Sequence, residues 1–351
     1  MKRILAIDSG GIRGVLAIEI LREIETVVTK KHGVPLHEYF DLIAGTSTGA
    51  IIATCISWGM TIDQIATLYR ERAKDIFMPN QWHRRHKSRF RSDLFDAFLR
   101  NTLVEADGCP ATLGTSRLKT LLLVVMRNAT TGSSWPICNN PATKYNDRAL
   151  PDCNLNLPLW QIVRASTAAP TFFEPVKLAL GQQDFHFIDG CVSPYSNPAL
   201  IAFLFATMPE YRLNFPAGEE QLLLVSVGTG MTRKYPMPTS VEDMHLLEQA
   251  KFAFNLILDS VTAHEDLLCR LWGRCLVGNH IDSEIGDLKQ SSLIPDKLFT
   301  YLRYNRLFKQ EEIIDPQFGN LLDIDNLNAM DFLRRSGADY ARATVAADHL
   351  N

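Results

Sequence analysis

The sequence has no excess of charge of either sign. Its 36 lysines and arginines against 39 aspartates and glutamates leave a net charge of −3 over 351 residues. A chain so balanced has no global basic field to gather nucleic acid, and no nucleic-acid partner is expected. Cysteine pairing is missing too. The seven cysteines are odd in number, scattered, and never spaced Cys-x-x-Cys, which speaks against a disulfide framework and for a reducing compartment. No His-x-x-x-His pair occurs, and His264-Glu265 is followed at 268 by Leu, so no metal is expected and no cofactor is called for. After Lys2 and Arg3 the apolar run Ile4-Leu5-Ala6-Ile7 is cut by Asp8, too short for a signal-peptide core. A cytoplasmic protein is expected. There is no internal repeat and no low-complexity tract.

What is present is globular: 46% hydrophobic and 21% charged residues. A chain of this size buries about 75% of its unfolded surface, enough for a core without staples. One charge-free stretch, 42–62, has the length to cross a bilayer. It contains Gly45-Thr46-Ser47-Thr48-Gly49, however, and two glycines around three hydroxyls suit a sharp turn between a buried strand and a buried helix.

Apolar runs and helical periods alternate along the chain. Strands are expected at 3–7, 40–44, 118–126, 185–188 and 222–227, and helices at 14–30, 50–58, 93–104, 157–168 and 198–208. Thr61-Ile-Asp-Gln64 has capping-box form and predicts a helix from there to about Phe77. Residues 127–155 read as a polar loop. This alternation argues for an α/β fold with a mostly parallel sheet covered on both faces. Beyond 232 the spans 241–272 and 326–350 read as helical, with only 274–281 extended. The expected plan is a catalytic α/β core, 1–235, and a mainly helical C-terminal region, 236–351, packed on it.

The strongest local signal is Gly45-Thr46-Ser47-Thr48-Gly49, which follows an apolar strand and opens an apolar helix. In that context Gly-x-Ser-x-Gly marks a strained turn that pushes a serine out of the fold. A second turn, Asp8-Ser9-Gly10-Gly11-Ile12-Arg13-Gly14, also joins a strand to a helix. Its glycines free backbone N–H groups to face one cavity, where they could hold a phosphate or an oxyanion. Against the dinucleotide fingerprint the first glycine is replaced by Ser9, and no acid stands about twenty residues on. Asp189-Gly190 follows Phe185-His186-Phe187-Ile188, where a parallel sheet keeps its sites, at the carboxyl ends of strands. Nine histidines are available as bases, none in a revealing context.

Taken together, these segments resemble the patatin-like phospholipases. The resemblance rests on Asp-x-Gly-Gly-x-Arg-Gly, Gly-x-Ser-x-Gly about thirty residues later, and Asp-Gly far downstream. Ala165-Ser166-Thr167-Ala168-Ala169-Pro170-Thr171-Phe172-Phe173 is similar to the segment that family carries before the aspartate. It spans roughly residues 3–232 and departs at Ser9, where the family has a third glycine. It implies a three-layer α/β fold and a Ser–Asp dyad without histidine. Ser47 is then the nucleophile, Asp189 its base, and Gly10, Gly11 and Ile12 the oxyanion hole. Arg13, Gly14, Gly45, Gly49 and Gly190 support them.

The implied activity is cleavage of fatty-acyl esters of membrane phospholipids. Chain length, core and helical tail also resemble bacterial patatin-like effectors of anti-phage signalling, in which a cyclic nucleotide switches on membrane degradation. The implied partners are a phospholipid surface at the inner membrane, a cyclic-nucleotide activator and a second copy of the chain. The basic run 84–91 is read either as a contact for anionic headgroups or as a solvated loop. Two alternatives stay open: an α/β-hydrolase esterase with a Ser-Asp-His triad drawing on His245, His264 or His280, and a non-hydrolytic nucleotide- or lipid-binding protein.

Overall fold

A computed structural model describes residues 1–81, 87–232 and 245–351, with the backbone alone for 246–248 and 250–255. β1 (Lys2–Ile7) leads into α1 (Gly14–His32), then the single-turn α2 (Leu36–Tyr39), β2 (Leu42–Thr46) and α3 (Thr48–Ser57). α4 (Ile62–Ile76) starts on the expected capping box: the Thr61 hydroxyl accepts from the Gln64 N–H while Gln64 Oε1 accepts from the Thr61 N–H. α5 (Asp93–Thr102), β3 (Leu121–Asn128) and β4 (Ser134–Cys138) follow. After them come α6 (Leu159–Ser166), β5 (Val176–Leu180), β6 (Gln183–Asp189), α7 (Ala199–Thr207) and β7 (Leu222–Val227).

The C-terminal region begins beyond the two-residue β8 (Met231–Thr232). It contains α8 (Leu246–Trp272), β9 (Arg274–Val277), β10 (Thr300–Tyr304) and β11 (Leu307–Phe308). α9 (Gln310–Ile313), the small hairpin of β12 (Ile314–Asp315) and β13 (Gly319–Asn320), and α10 (Met330–Thr344) complete it. Among the described residues no helix is long and apolar enough to cross a membrane. The 42–62 stretch is strand, turn and helix, as its glycines predict.

The main sheet runs β5-β6-β3-β2-β1-β7-β10-β9, with β4 also on β3. Pairings from β9 through β3 are parallel, and those of β4, β5 and β6 are antiparallel. Side chains alternate between two buried faces. Leu5, Ile7, Val225 and Val227 pack under α1, α3 and α10, while Ile4, Ala6, Leu222 and Leu224 face α7 and Cys269 of α8. A strand with helices on both faces reads as a continuous apolar run, which is why β1 and β7 were legible.

Three expectations are corrected. The polar loop 127–155 contains β4, whose Pro136 disguises it as a turn. The tail expected to be extended only at 274–281 also adds β10 to the centre of the sheet, beside β7. The strand carrying Asp189 is not parallel. β2 pairs with β3 from Leu121 to Val125, and β6 takes the same edge from Met126 to Asn128, running the opposite way. β2 and β6 therefore meet end to end along β3.

Candidate active site

Ser47 stands where β2 turns into α3, at φ 56° and ψ −122°. A non-glycine residue at positive φ is strained, and such strain persists only where the surroundings over-determine it. Here they do. A Cβ on Gly49 would run into the carbonyl oxygens of Ile7 and Asp8, and one on Gly45 into the backbone of Gly49. The turn can thus press against β1 only with glycines at both ends of the motif. The Ser47 N–H donates to Ser166 Oγ at 2.9 Å, and that hydroxyl donates on to the Val125 carbonyl at 2.6 Å. Ser166 lies in the Ala-Ser segment quoted above, but nothing in its spacing marked it as the anchor of the turn.

Asp189 arrives from the opposite direction. Ser47 Oγ donates to Asp189 Oδ2 at 2.6 Å, and Asp189 Oδ1 accepts from the Cys191 N–H at 2.8 Å. The Asp189 N–H is held by the Ala168 carbonyl at 3.0 Å. Gly190 allows the close pass, since a Cβ there would strike the Val125 carbonyl and Thr46. Only 1% of Asp189 is exposed. Loss of solvent raises its pKa to about 6, against the opposing pull of the Ser47 and Cys191 hydrogen bonds.

The glycine loop lies beside this pair. Gly10 has φ 152° and Gly11 φ 57°, conformations that favour glycine. Among the described residues neither Gly10 nor Gly11 N–H is bonded. The Ile12 N–H is different: it donates to the Ile324 carbonyl at 2.7 Å. The expected third oxyanion donor is thus already engaged. Arg13 braces the loop, with Nε 3.4 Å from the Gly10 carbonyl and Nη1 3.3 Å from that of Gly230. Gly14 lets α1 start against Thr48. Ser9, the departure from the family pattern, is pinned on three sides. Its N–H donates to the Ser196 carbonyl at 3.0 Å, its Oγ meets Ser196 Oγ at 2.6 Å, and its carbonyl accepts from Thr229 Oγ1 at 2.6 Å.

Ser47, Asp189, Gly10 and Gly11 share a cavity of about 690 Å³. Leu258, Asp259 and Thr262 of α8 close one side of it, and Leu322 to Asp325 another. Burial raises the Asp259 pKa, with Arg13 opposing. An apolar recess opens off the same serine, lined by Ile51, Ile76, Phe77, Phe95 and Phe173. No histidine is among the described residues lining either space. The sequence missed Asp259 and Ile324, whose places depend on contacts across the whole chain.

The described part of the basic run is exposed at Lys87 and Arg89 and partly paired. Residues 82–86 lie outside the described residues. Of the remainder, Arg89 is paired with Asp325 at 2.8 Å and Arg91 is paired with Asp93.

Residues 5–203 match the family model described as patatin-like phospholipase. The chain is 28% identical over 353 residues to the calcium-independent phospholipase A2-gamma of Rattus norvegicus, with 95% of this chain and 38% of that protein covered. It is 29% identical over 240 residues to the cGAMP-activated phospholipase of Vibrio cholerae serotype O1, covering 65% of this chain and 64% of that one. Against Patatin-T5 of Solanum tuberosum the identity is 29% over 266 residues, covering 69% and 64%. The chain thus spans under two-fifths of the length of the mammalian relative it matches.

Proposed function

The chain belongs to the patatin-like phospholipase family, and on that premise we propose that it hydrolyses fatty-acyl esters of membrane phospholipids with a Ser47–Asp189 dyad. The observation that carries this reading is the 2.6 Å hydrogen bond from Ser47 Oγ to Asp189 Oδ2 on a strained, buried turn. As Ser47 Oγ attacks the ester carbonyl, Asp189 takes its proton. The carbonyl oxygen becomes an anion facing the unbonded N–H groups of Gly10 and Gly11. Collapse breaks the ester C–O bond, the departing alcohol takes the proton from Asp189, and the acyl group stays on Ser47. Water then gives a proton to Asp189 and its oxygen to the acyl carbon, and Ser47 leaves with that proton. A fatty acid is released and the dyad is restored.

A base of pKa about 6 suits this work better than an ordinary carboxylate, because more of the proton's affinity is retained while the group is still ionised at pH 7. The large cavity, with Leu258, Phe172, Met231 and Leu322 among its lining residues, and the small apolar recess both meet at Ser47, which suits a substrate that brings an acyl chain to that serine. Both Asp189 oxygens are engaged, by Ser47 and Cys191, and no histidine lines the cavity among the described residues. These observations favour the dyad over a triad. Work at the cytoplasmic face of the membrane, activation by a cyclic nucleotide, assembly with a second copy and a part in antiviral defence belong to the same proposal. Activation by a cyclic nucleotide, and with it the part in defence, is supported by the relatives named cGAMP-activated phospholipases. The test is phospholipid hydrolysis by the pure protein and its Ser47→Ala variant, with and without a panel of cyclic di- and trinucleotides. Labelling of Ser47 by a fluorophosphonate is the companion measurement. A wild-type protein that neither labels nor hydrolyses with any activator would end this reading.

A further inference from the structure

The loop that carries the oxyanion donors is covered by a segment from the far end of the chain. Leu322 to Asp325 cross it between the β12–β13 hairpin and α10, all beyond the residues that match the family model. Ile324 sits closest. Its carbonyl accepts from the Ile12 N–H at 2.7 Å, and it backs so tightly onto Gly11 that a Cβ there would collide with it. Ile324 also lines both the large cavity and the apolar recess, so it stands between the two spaces that meet at Ser47.

The segment is fastened at each side. On one, the Leu321 N–H donates to the Ile313 carbonyl at 2.8 Å and the Asn326 amide to the Asn320 carbonyl at 2.8 Å. On the other, Asp325 pairs with Arg89 at 2.8 Å. Arg89 lies over the rings of Phe90 and Phe172, and its N–H donates to the Thr171 carbonyl at 2.9 Å. Thr171 and Phe172 line the same cavity. The Arg89 side chain is 60% exposed, so this fastening is screened by salt and is within reach of a surface or ligand that competes for either charge.

We propose that residues 322–325 are a strap that holds the oxyanion loop at rest, with Ile324 and Asp325 as positioning residues that set when the site becomes competent. This inference rests on the reading of Gly10, Gly11 and Ile12 as the oxyanion loop. An N–H that donates a well-formed bond to a carbonyl cannot donate it to a developing oxyanion as well. While the strap is down, two donors remain. When it lifts, the Ile12 N–H joins them and the partition between the two spaces opens. An activator that prefers the lifted state shifts the equilibrium by its differential affinity for the two states, and the exposed Asp325–Arg89 fastening is the point at which it can compete.

The test uses the full chain with Asp325→Asn and Arg89→Gln from the two sides of the fastening, and the charge swap Arg89→Asp with Asp325→Arg. Three readouts are taken: hydrolysis of a short soluble ester, the rate of Ser47 labelling by a fluorophosphonate, and hydrogen exchange at the Ile12 amide. Both single variants are expected to react at least about fivefold faster than wild type, as for a modest coupling between sites. They should also expose the Ile12 amide to exchange, and the swap should return both properties toward wild type. Wild type should speed up with added salt and the single variants should not. A strap that merely supports the fold predicts slower variants with lowered melting temperatures. Variants that keep the wild-type melting temperature and exchange faster, yet react no faster, would overturn the strap while leaving the dyad intact. If no form labels at Ser47, the functional reading falls and takes the strap with it.

Discussion

Arg303 of β10 grips Asp8 at the end of β1 with both ends of its guanidinium, Nη1 to Oδ1 at 2.9 Å and Nη2 to Oδ2 at 2.6 Å. Nη1 also donates to Ser226 Oγ of β7 at 2.7 Å. Burial alone works against the charge on Arg303, but Asp8 more than offsets it and raises the guanidinium pKa. Asp8 directly precedes Ser9, Gly10 and Gly11, so a strand of the C-terminal region sets the root of the glycine loop beside Ser47.

Removing one partner of this pair leaves a buried, uncompensated charge. Arg303→Met is expected to cost about 3–5 kcal/mol in urea unfolding, with Asp8→Asn/Arg303→Met recovering part of that loss. The surviving Arg303→Met protein should also turn over more slowly, since the loop loses its anchor. Single variants as stable as wild type would mean the pair is solvated in solution.

Ser47→Ala and Asp189→Asn should each remove nearly all ester hydrolysis, and the double variant should be little worse, because residues acting as one unit lose activity non-additively. Substantial turnover in Asp189→Asn together with an inactive histidine variant would restore the triad.

Activity should fall as pH drops through about 6, two units above the range of an ordinary carboxylate, because Asp189 must be ionised to accept the Ser47 proton. Stability should run the other way. The folded pKa of about 6 exceeds the 3.8 of an ordinary aspartate, so the native state holds its proton more tightly, and stability declines as pH rises from about 4 to about 6. The decline is on the order of 3 kcal/mol. Asp189→Asn should remove that slope and unfold at higher denaturant than wild type at pH 7. An unchanged slope in the variant would refute the assignment.

Gly10→Ala places a methyl group against Thr229 at a φ of 152° that L-residues rarely adopt. Turnover should drop about 10²–10³-fold, as for loss of one oxyanion donor, with KM little changed. Gly49→Ala drives a methyl group into the carbonyls of β1 and should lower stability by about 1–3 kcal/mol. If Gly10→Ala keeps full kcat, the loop does not bind the oxyanion.

Glu265 of α8 is buried, and its pKa is raised by that burial to about 8, so it is mostly protonated at pH 7. Folded wild type should lose stability between about pH 4.5 and 8, as the unfolded chain releases a proton the native state retains. Glu265→Gln should be flatter over that window and more stable than wild type at pH 9. Parallel pH curves for the two proteins would show that Glu265 is ionised in the fold.

The sequence by itself determined what depends on neighbours in the chain. The Ser47 turn was legible because Gly45, Ser47 and Gly49 carry their constraint within five residues, between an apolar strand and an apolar helix. The Thr61–Gln64 cap was legible for the same reason. β1 and β7 declared themselves because burial on both faces leaves no polar period. Tertiary structure decided the rest. Nothing near Gln183–Asp189 says that the strand runs antiparallel, yet that direction makes it meet β2 end to end and brings Asp189 to Ser47. β10 is hidden in the sequence because Arg303 reads as a surface residue until Asp8, 295 positions away, gives its charge a buried partner. Ile324 reads as one more apolar residue, and only the folded chain lays its carbonyl against the Ile12 N–H. Local chemistry writes turns and periods into sequence, whereas partners brought together by chain closure leave no spacing to read.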